Sequence, residues 1–137
     1  MEFENTKEAI ALEDLNKFES EYKVLLPESY KNHLLKYNGG TPSKKYYKGV
    51  RVAFFNPIKY GGDTVEDVLE DLEDILPDNY LPIAYDPGDN QICLNLNEGN
   101  EYGYIYYLAM DLGEPSVEFL ATSLEEMLNG LEESNNF

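Results

Sequence analysis

One stretch, Leu-Leu-Pro-Glu-Ser-Tyr-Lys-Asn-His-Leu-Leu-Lys-Tyr-Asn-Gly-Gly over residues 25–40, dictates more of the fold than any other. Proline has no N–H and a φ already near the helical value, so Pro27 suits the first position of a helix. Glu28 in the first turn and Lys36 in the last complement the helix dipole. Tyr30, Leu34 and Tyr37 recur at i, i+4 and i+7 and make one apolar face. Asn38, Gly39 and Gly40 then stop the helix, because glycine accepts the left-handed backbone that closes a C-terminus. Upstream, Asn5 and Glu8 have the spacing of a capping box. Ala11, Leu15, Phe18 and Tyr22 follow at helical spacing, with Glu13, Asp14, Lys17 and Glu21 outside. A short-linked pair of helices with facing apolar stripes is expected.

Residues 41–49 read as a loop with local positive charge. Val50, Val52 and Phe54 alternate with Arg51, Ala53 and Phe55, which predicts a strand ended by Asn56-Pro57. Tyr60-Gly61-Gly62-Asp63 is a turn signal. Thr64 and Asp67 have capping-box spacing before a third helix, with Val65, Val68, Leu69, Leu72, Ile75 and Leu76 as its apolar face. Glu66, Asp67, Glu70, Asp71, Glu73 and Asp74 occupy the other face. No cation sits four residues on to pair with them, so their mutual repulsion costs stability. Pro77 closes the helix. Leu81–Tyr85 predicts a strand and Asp86-Pro87-Gly88-Asp89-Asn90 a turn. Ile92, Leu94 and Leu96 alternate with Gln91, Cys93 and Asn95 in the next strand. After a polar turn over 97–103, Tyr104–Met110 reads as a central strand, with Tyr104 and Tyr106 on one face and Tyr107 on the other. Gly113-Glu114-Pro115 turns into a strand over 117–120. Ser123 caps a last helix, with Glu126 at the box position and Leu124, Met127, Leu128 and Leu131 inside. The final six residues are expected to fray.

The order is α-α-β-α-β-β-β-β-α. Strands joined by short turns imply a mainly antiparallel sheet, and the fold class is α+β with helices flanking that sheet. At 137 residues, with no repeat and no long linker, residues 1–137 read as a single domain.

The stretch formed by Leu26, Pro27, Tyr30, Lys31, Leu34, Asn38, Gly39 and Gly40, preceded by Ile10, Leu15 and Phe18, resembles the N-terminal signature of the SUKH superfamily. That superfamily includes fungal cell-wall-synthesis regulators and bacterial immunity proteins that neutralise toxins. The resemblance implies an α+β sheet flanked by helices, in agreement with the element order. Many relatives carry a Gly-Gly-Asp-like turn before the strand that here reads Ile92-Cys93-Leu94-Asn95-Leu96. This chain has Gly88-Asp89-Asn90 there, a departure from the pattern.

Charge is the loudest compositional fact. Net charge is −17, and it is unevenly placed. All ten Lys and Arg lie in residues 1–59, with eight Asp and Glu, whereas residues 60–137 carry nineteen Asp and Glu and no cation. Such a surface repels phosphate backbones, which argues against direct nucleic-acid binding, and attracts basic partners. No apolar window approaches about 20 residues, so no membrane span is expected. Met-Glu-Phe-Glu-Asn lacks the apolar core of a signal peptide. With Cys93 the lone cysteine, a cytoplasmic setting is expected.

Catalytic signals are sparse. His33 falls off the apolar stripe of its helix and reads as a structural histidine. Cys93 reads as a small buried hydrophobe, with no neighbouring cation to activate it. Asp86, Asp89 and Asn90 could present oxygens to a hard cation, but Asp-Pro-Gly-Asp is first a turn, and no metal is expected. There is no phosphate-binding loop or nucleophile elbow, hence no cofactor. Twelve tyrosines and no tryptophan suit core and sheet packing, and exposed ones would suit an interface.

The expectation is therefore a non-catalytic immunity protein (antitoxin), monomeric, that masks a cognate basic toxin, with a nuclease domain the natural fit. The surface expected to bind it is Glu66, Glu70, Asp71, Glu73 and Asp74 on the third helix, with Asp86 and Asp89 at the turn. The alternative is a regulatory protein–protein scaffold resembling the fungal branch, though that branch usually embeds the domain in a much longer chain.

Overall fold

The computed structural model describes residues 2–110 and 115–134. In chain order the elements are β1 (Phe3–Glu4), α1 (Leu12–Tyr22), α2 (Glu28–Lys36), β2 (Thr41–Pro42), β3 (Tyr46–Tyr47), β4 (Val50–Arg51), β5 (Phe54–Phe55), α3 (Val65–Asp71), β6 (Tyr80–Tyr85), β7 (Gln91–Asn95), β8 (Ile105–Ala109), β9 (Ser116–Ala121) and α4 (Leu124–Asn129). The main sheet is an antiparallel meander in the order β5-β6-β7-β8-β9. β1 pairs with β2, and β3 with β4. The architecture is the expected α+β.

The meander follows from the residue pattern. In β7, Ile92 and Leu94 point to one face and Cys93 to the other, as a period of two requires. Ile92, Leu94, Ile83 and Ile105 join Leu15 and Phe18 from α1, Leu26 from the link after it, Tyr30 and Leu34 from α2, and Leu124 and Met127 from α4 in one core. Cys93, Tyr106 and Leu108 form a second, smaller cluster on the opposite face, bordered by Leu76, Tyr80, Tyr104 and Met110. Tyr107 packs toward the main core, as alternation predicts.

Four local expectations need correction. First, α1 starts at Leu12, with Ala11 at its cap and the Asp14 carboxylate accepting the Ala11 N–H at 2.9 Å. Asn5, with φ of 57°, lies upstream. Second, residues 50–55 are not one strand. Val50–Arg51 closes a hairpin on β3, through Lys48 and Gly49 at φ of 46° and 83°, the twist that a two-residue hairpin requires. Phe54–Phe55 instead joins β6. Third, α3 ends at Asp71, and residues 72–76 form turns. Glu70 and Asp71 face the negative end of the helix dipole with no cation nearby in sequence, and Glu73 and Asp74 would extend that repulsion. Fourth, Glu132 is held by paired backbone bonds with Tyr46 at 2.8 and 3.0 Å, so the tail is anchored there. Gly113 and Glu114 of the expected turn, and the last three residues, lie outside the described residues.

Candidate functional site

Helical geometry places Glu66, Glu70 and Glu73 at i, i+4 and i+7. Although Glu73 falls in the turn after α3, these three side chains line one open depression of about 350 Å³ with Asp67, Leu69 and Tyr22. No Lys or Arg side chain lines it. Asp71 and Asp74 are exposed but lie outside its lining.

Thr64 fixes the helix start. Its hydroxyl accepts the Asp67 N–H at 3.1 Å, and the Asp67 carboxylate accepts the Thr64 N–H at 3.4 Å. Tyr22 comes from the end of α1. Burial pushes its pKa up, and the nearby Glu21, Glu66, Glu70 and Asp67 push it further, so the phenol stays neutral and able to donate. Burial likewise raises the Glu66 carboxyl above its usual range. Glu66 Oε2 accepts the Lys59 N–H at 2.8 Å, while Oε1 is buried without a partner.

Three cations of the first half, Lys17, Lys31 and Lys59, pair with acids of that same half. Lys59 Nζ lies 2.8 Å from Asp14. Lys31 lies 3.5 Å from Glu19 and 3.7 Å from Glu28. Lys17 lies 3.6 Å from Glu13. None of these four pairs reaches an acid of the α3 depression.

The turn after β6 is a different kind of acidic site. Asp86 Oδ1 accepts the N–H groups of Gly88 and Asn90, each at 2.9 Å. Oδ2 accepts the Tyr107 hydroxyl at 2.6 Å and the Asn90 amide at 3.2 Å. Partial burial alone would raise this carboxyl, but the hydrogen bonds outweigh it and hold the pKa below the usual value. Asp86 is thus a turn-building residue. Asp89 is exposed beside it, at φ of 63°. The structure does not bring these two acids to the α3 depression.

His33 and Cys93 do not meet. His33 is buried on α2, with ring centroids 4.8 Å from Phe3 and 5.4 Å from Phe55. Desolvation, helped by Lys36, lowers its pKa to about 4, and Nε2 has no partner. It is more buried than its off-stripe position suggests, because β1 covers that side of α2 with Phe3. Cys93 is sealed in the opposite sheet face, and burial pushes its thiol up, away from thiolate chemistry. Among the described residues, no group of three or more His, Cys, Asp and Glu is placed to hold a metal ion. No helix among them is long and apolar enough to cross a membrane.

A family model described as SMI1 / KNR4 family (SUKH-1) matches residues 9–130. The chain belongs to this family. No curated protein matches the sequence. In this SUKH-1 chain the sharpest part of the signature builds the scaffold. The Asn38 amide donates to the carbonyls of Glu8 and Ile58, both at 2.9 Å, and its oxygen accepts the Ile58 N–H at 2.8 Å. Gly39, at φ of 78°, leaves no room for a side chain, since a Cβ there would come within 2.8 Å of Pro57. These residues tie α2 to the segment before α3 and so set where the acidic depression stands. Three members of the depression, Tyr22, Asp67 and Leu69, are not among the expected partner-binding residues. Asp67 is legible both as a cap and as part of the acidic face of the third helix, Leu69 reads as part of its apolar face, and no sequence signal joins Tyr22 to α3.

Proposed function

We propose that this SUKH-1 protein is a non-catalytic immunity protein of the cytoplasm that binds and neutralises a cognate basic toxin domain, a nuclease being the class that fits best. The observation that carries the reading is the α3 depression, where Glu66, Asp67, Glu70 and Glu73 gather around Tyr22 with no Lys or Arg in the lining. Four carboxylates so placed repel one another, and a partner's lysine or arginine relieves that repulsion on docking. Nuclease domains present cations to phosphates, and an acidic surface can occupy that groove in place of the nucleic acid. Asp71 and Asp74 extend the same acidic flank, and Asp89 offers a further carboxylate beyond it. Asp86 enters this reading only as the organiser of Asp89's turn.

The test uses the purified full chain and a candidate basic nuclease toxin encoded beside its gene. One-to-one binding that weakens at least about tenfold between low and moderate salt, with loss of inhibition in Glu70→Lys/Asp71→Lys, is the expected result. Affinity indifferent to salt and to those substitutions would remove the electrostatic basis of the reading.

A further inference from the structure

The sheet face opposite the main core carries a row of aromatic rings that is buried at Tyr106, half-buried at Tyr80 and Tyr104, and exposed at its β9 edge. On it the Tyr80 and Tyr106 rings stack with centroids 5.5 Å apart. Phe119 lies 6.0 Å from Tyr106 and 5.5 Å from Tyr104, so the four rings make one connected row from β6 past the start of β8 to β9. Phe119 and Val117, on the edge strand β9, are each 46% exposed. Large apolar groups left this open on a sheet edge mark a contact surface.

The charge around this surface has one sign. β6, β7, β8 and β9 all come from the part of the chain that has no Lys or Arg. The Glu101 carboxylate sits at the rim, where it accepts the Tyr106 hydroxyl. Among the described residues, the cation that reaches the Phe119 ring is Lys48, from the β3–β4 turn. Its Nζ lies 5.6 Å from the Phe119 centroid and donates to the Leu120 carbonyl at 2.8 Å. The Phe119 ring therefore already holds a cation on its flank.

We propose that the exposed edge of this face, centred on Phe119 with the half-buried Tyr104 beside it and Glu101 at the rim, docks arginine side chains of a basic polypeptide partner. The proposal rests on the reading that the partner is cationic, and it adds a surface separate from the α3 depression. A guanidinium is flat and weakly hydrated, so it stacks on aromatic rings while its N–H fork bonds a carboxylate such as Glu101. A lysine ammonium offers neither the plane nor the fork, so arginine is favoured over lysine here and not at the α3 depression.

The test titrates the full chain with a nona-arginine peptide and, separately, a nona-lysine peptide at about 150 mM salt, where long-range attraction is screened. Amide NMR shifts map the contact, and thermal melts check that each variant is folded. The expected result is tighter binding of the arginine peptide and its largest shifts over 104–106 and 117–119. Phe119→Thr and Glu101→Gln should each weaken it about threefold or more. Shifts confined to α3, with those variants unchanged and Glu70→Lys/Asp71→Lys impaired, would overturn this proposal and leave the basic-partner reading standing. Absence of binding by either peptide would overturn both.

Discussion

The α3 depression and the Asp86 turn are both rich in carboxylates, yet they differ in what the carboxylates face. At the turn, Asp86 is surrounded by donors from Gly88, Asn90 and Tyr107, and its pKa is held down. In the depression, Glu66 has one oxygen buried without a partner and its pKa is pushed up. One acid stabilises the fold. The other is tolerated by it. Abundance of Asp and Glu therefore says little about which are available to a partner, whereas the donors around each decide it.

The largest expected consequence is in stability. Asp86→Ala removes the acceptor for two backbone N–H groups and the Tyr107 hydroxyl, and should cost about 2–3 kcal/mol in urea unfolding, because bonds to a charged acceptor are the stronger kind. A loss under about 0.5 kcal/mol would erase the distinction between the two sites.

The pH dependence should separate them next. Asp86 has a folded pKa below 3.8, so its contribution is present above that value and is lost as pH falls through the folded pKa. Glu66 behaves oppositely. Its folded pKa lies above 4.5, so the folded chain takes up that proton first, and the associated stability is present below 4.5 and lost as pH rises through the folded value. Thermal melts of Asp86→Asn and Glu66→Gln from about pH 3 to 7 should deviate from the parent with opposite slopes. At neutral pH, Glu66→Gln should be at least as stable as the parent, and equal slopes would contradict the comparison.

The smallest effect belongs to the exposed acids. Glu70→Lys/Asp71→Lys should change stability by no more than about 0.5 kcal/mol, upward, and added salt should shrink the difference by screening. A marked destabilisation would mean that these acids hold the fold as Asp86 does.

Most of the sheet was legible because its strands are five or six residues long with clear alternation. Gln91–Asn95 and Ile105–Ala109 fall where the pattern puts them. The strands of two residues, β1 to β5, are too short to show a period, and their pairings depend on where α2 and the loop after it place them. The break within residues 50–55 was hidden for the same reason, since Val52 and Ala53 look like strand residues but sit where the chain passes from one ladder to another. The end of α3 is not legible because its apolar periodicity runs on through Ile75 and Leu76, while repulsion among its carboxylates favours the stop at Asp71. In the acidic site, the acids were legible on helical spacing. The phenol of Tyr22, which arrives from another helix, was not, and neither was the engagement of Asp86 by Tyr107, which depends on strand pairing.

The sealed position of Cys93 has a use beyond packing. With no solvent-accessible surface of its own and no other cysteine in the chain, it is a single chemical clock for the sheet. An alkylating reagent can mark it only in molecules whose strands have parted, so the labelling rate counts those openings directly. A partner seated on the aromatic face would slow that clock, and one confined to the far side of α3 would slow it only as far as it stabilises the whole molecule.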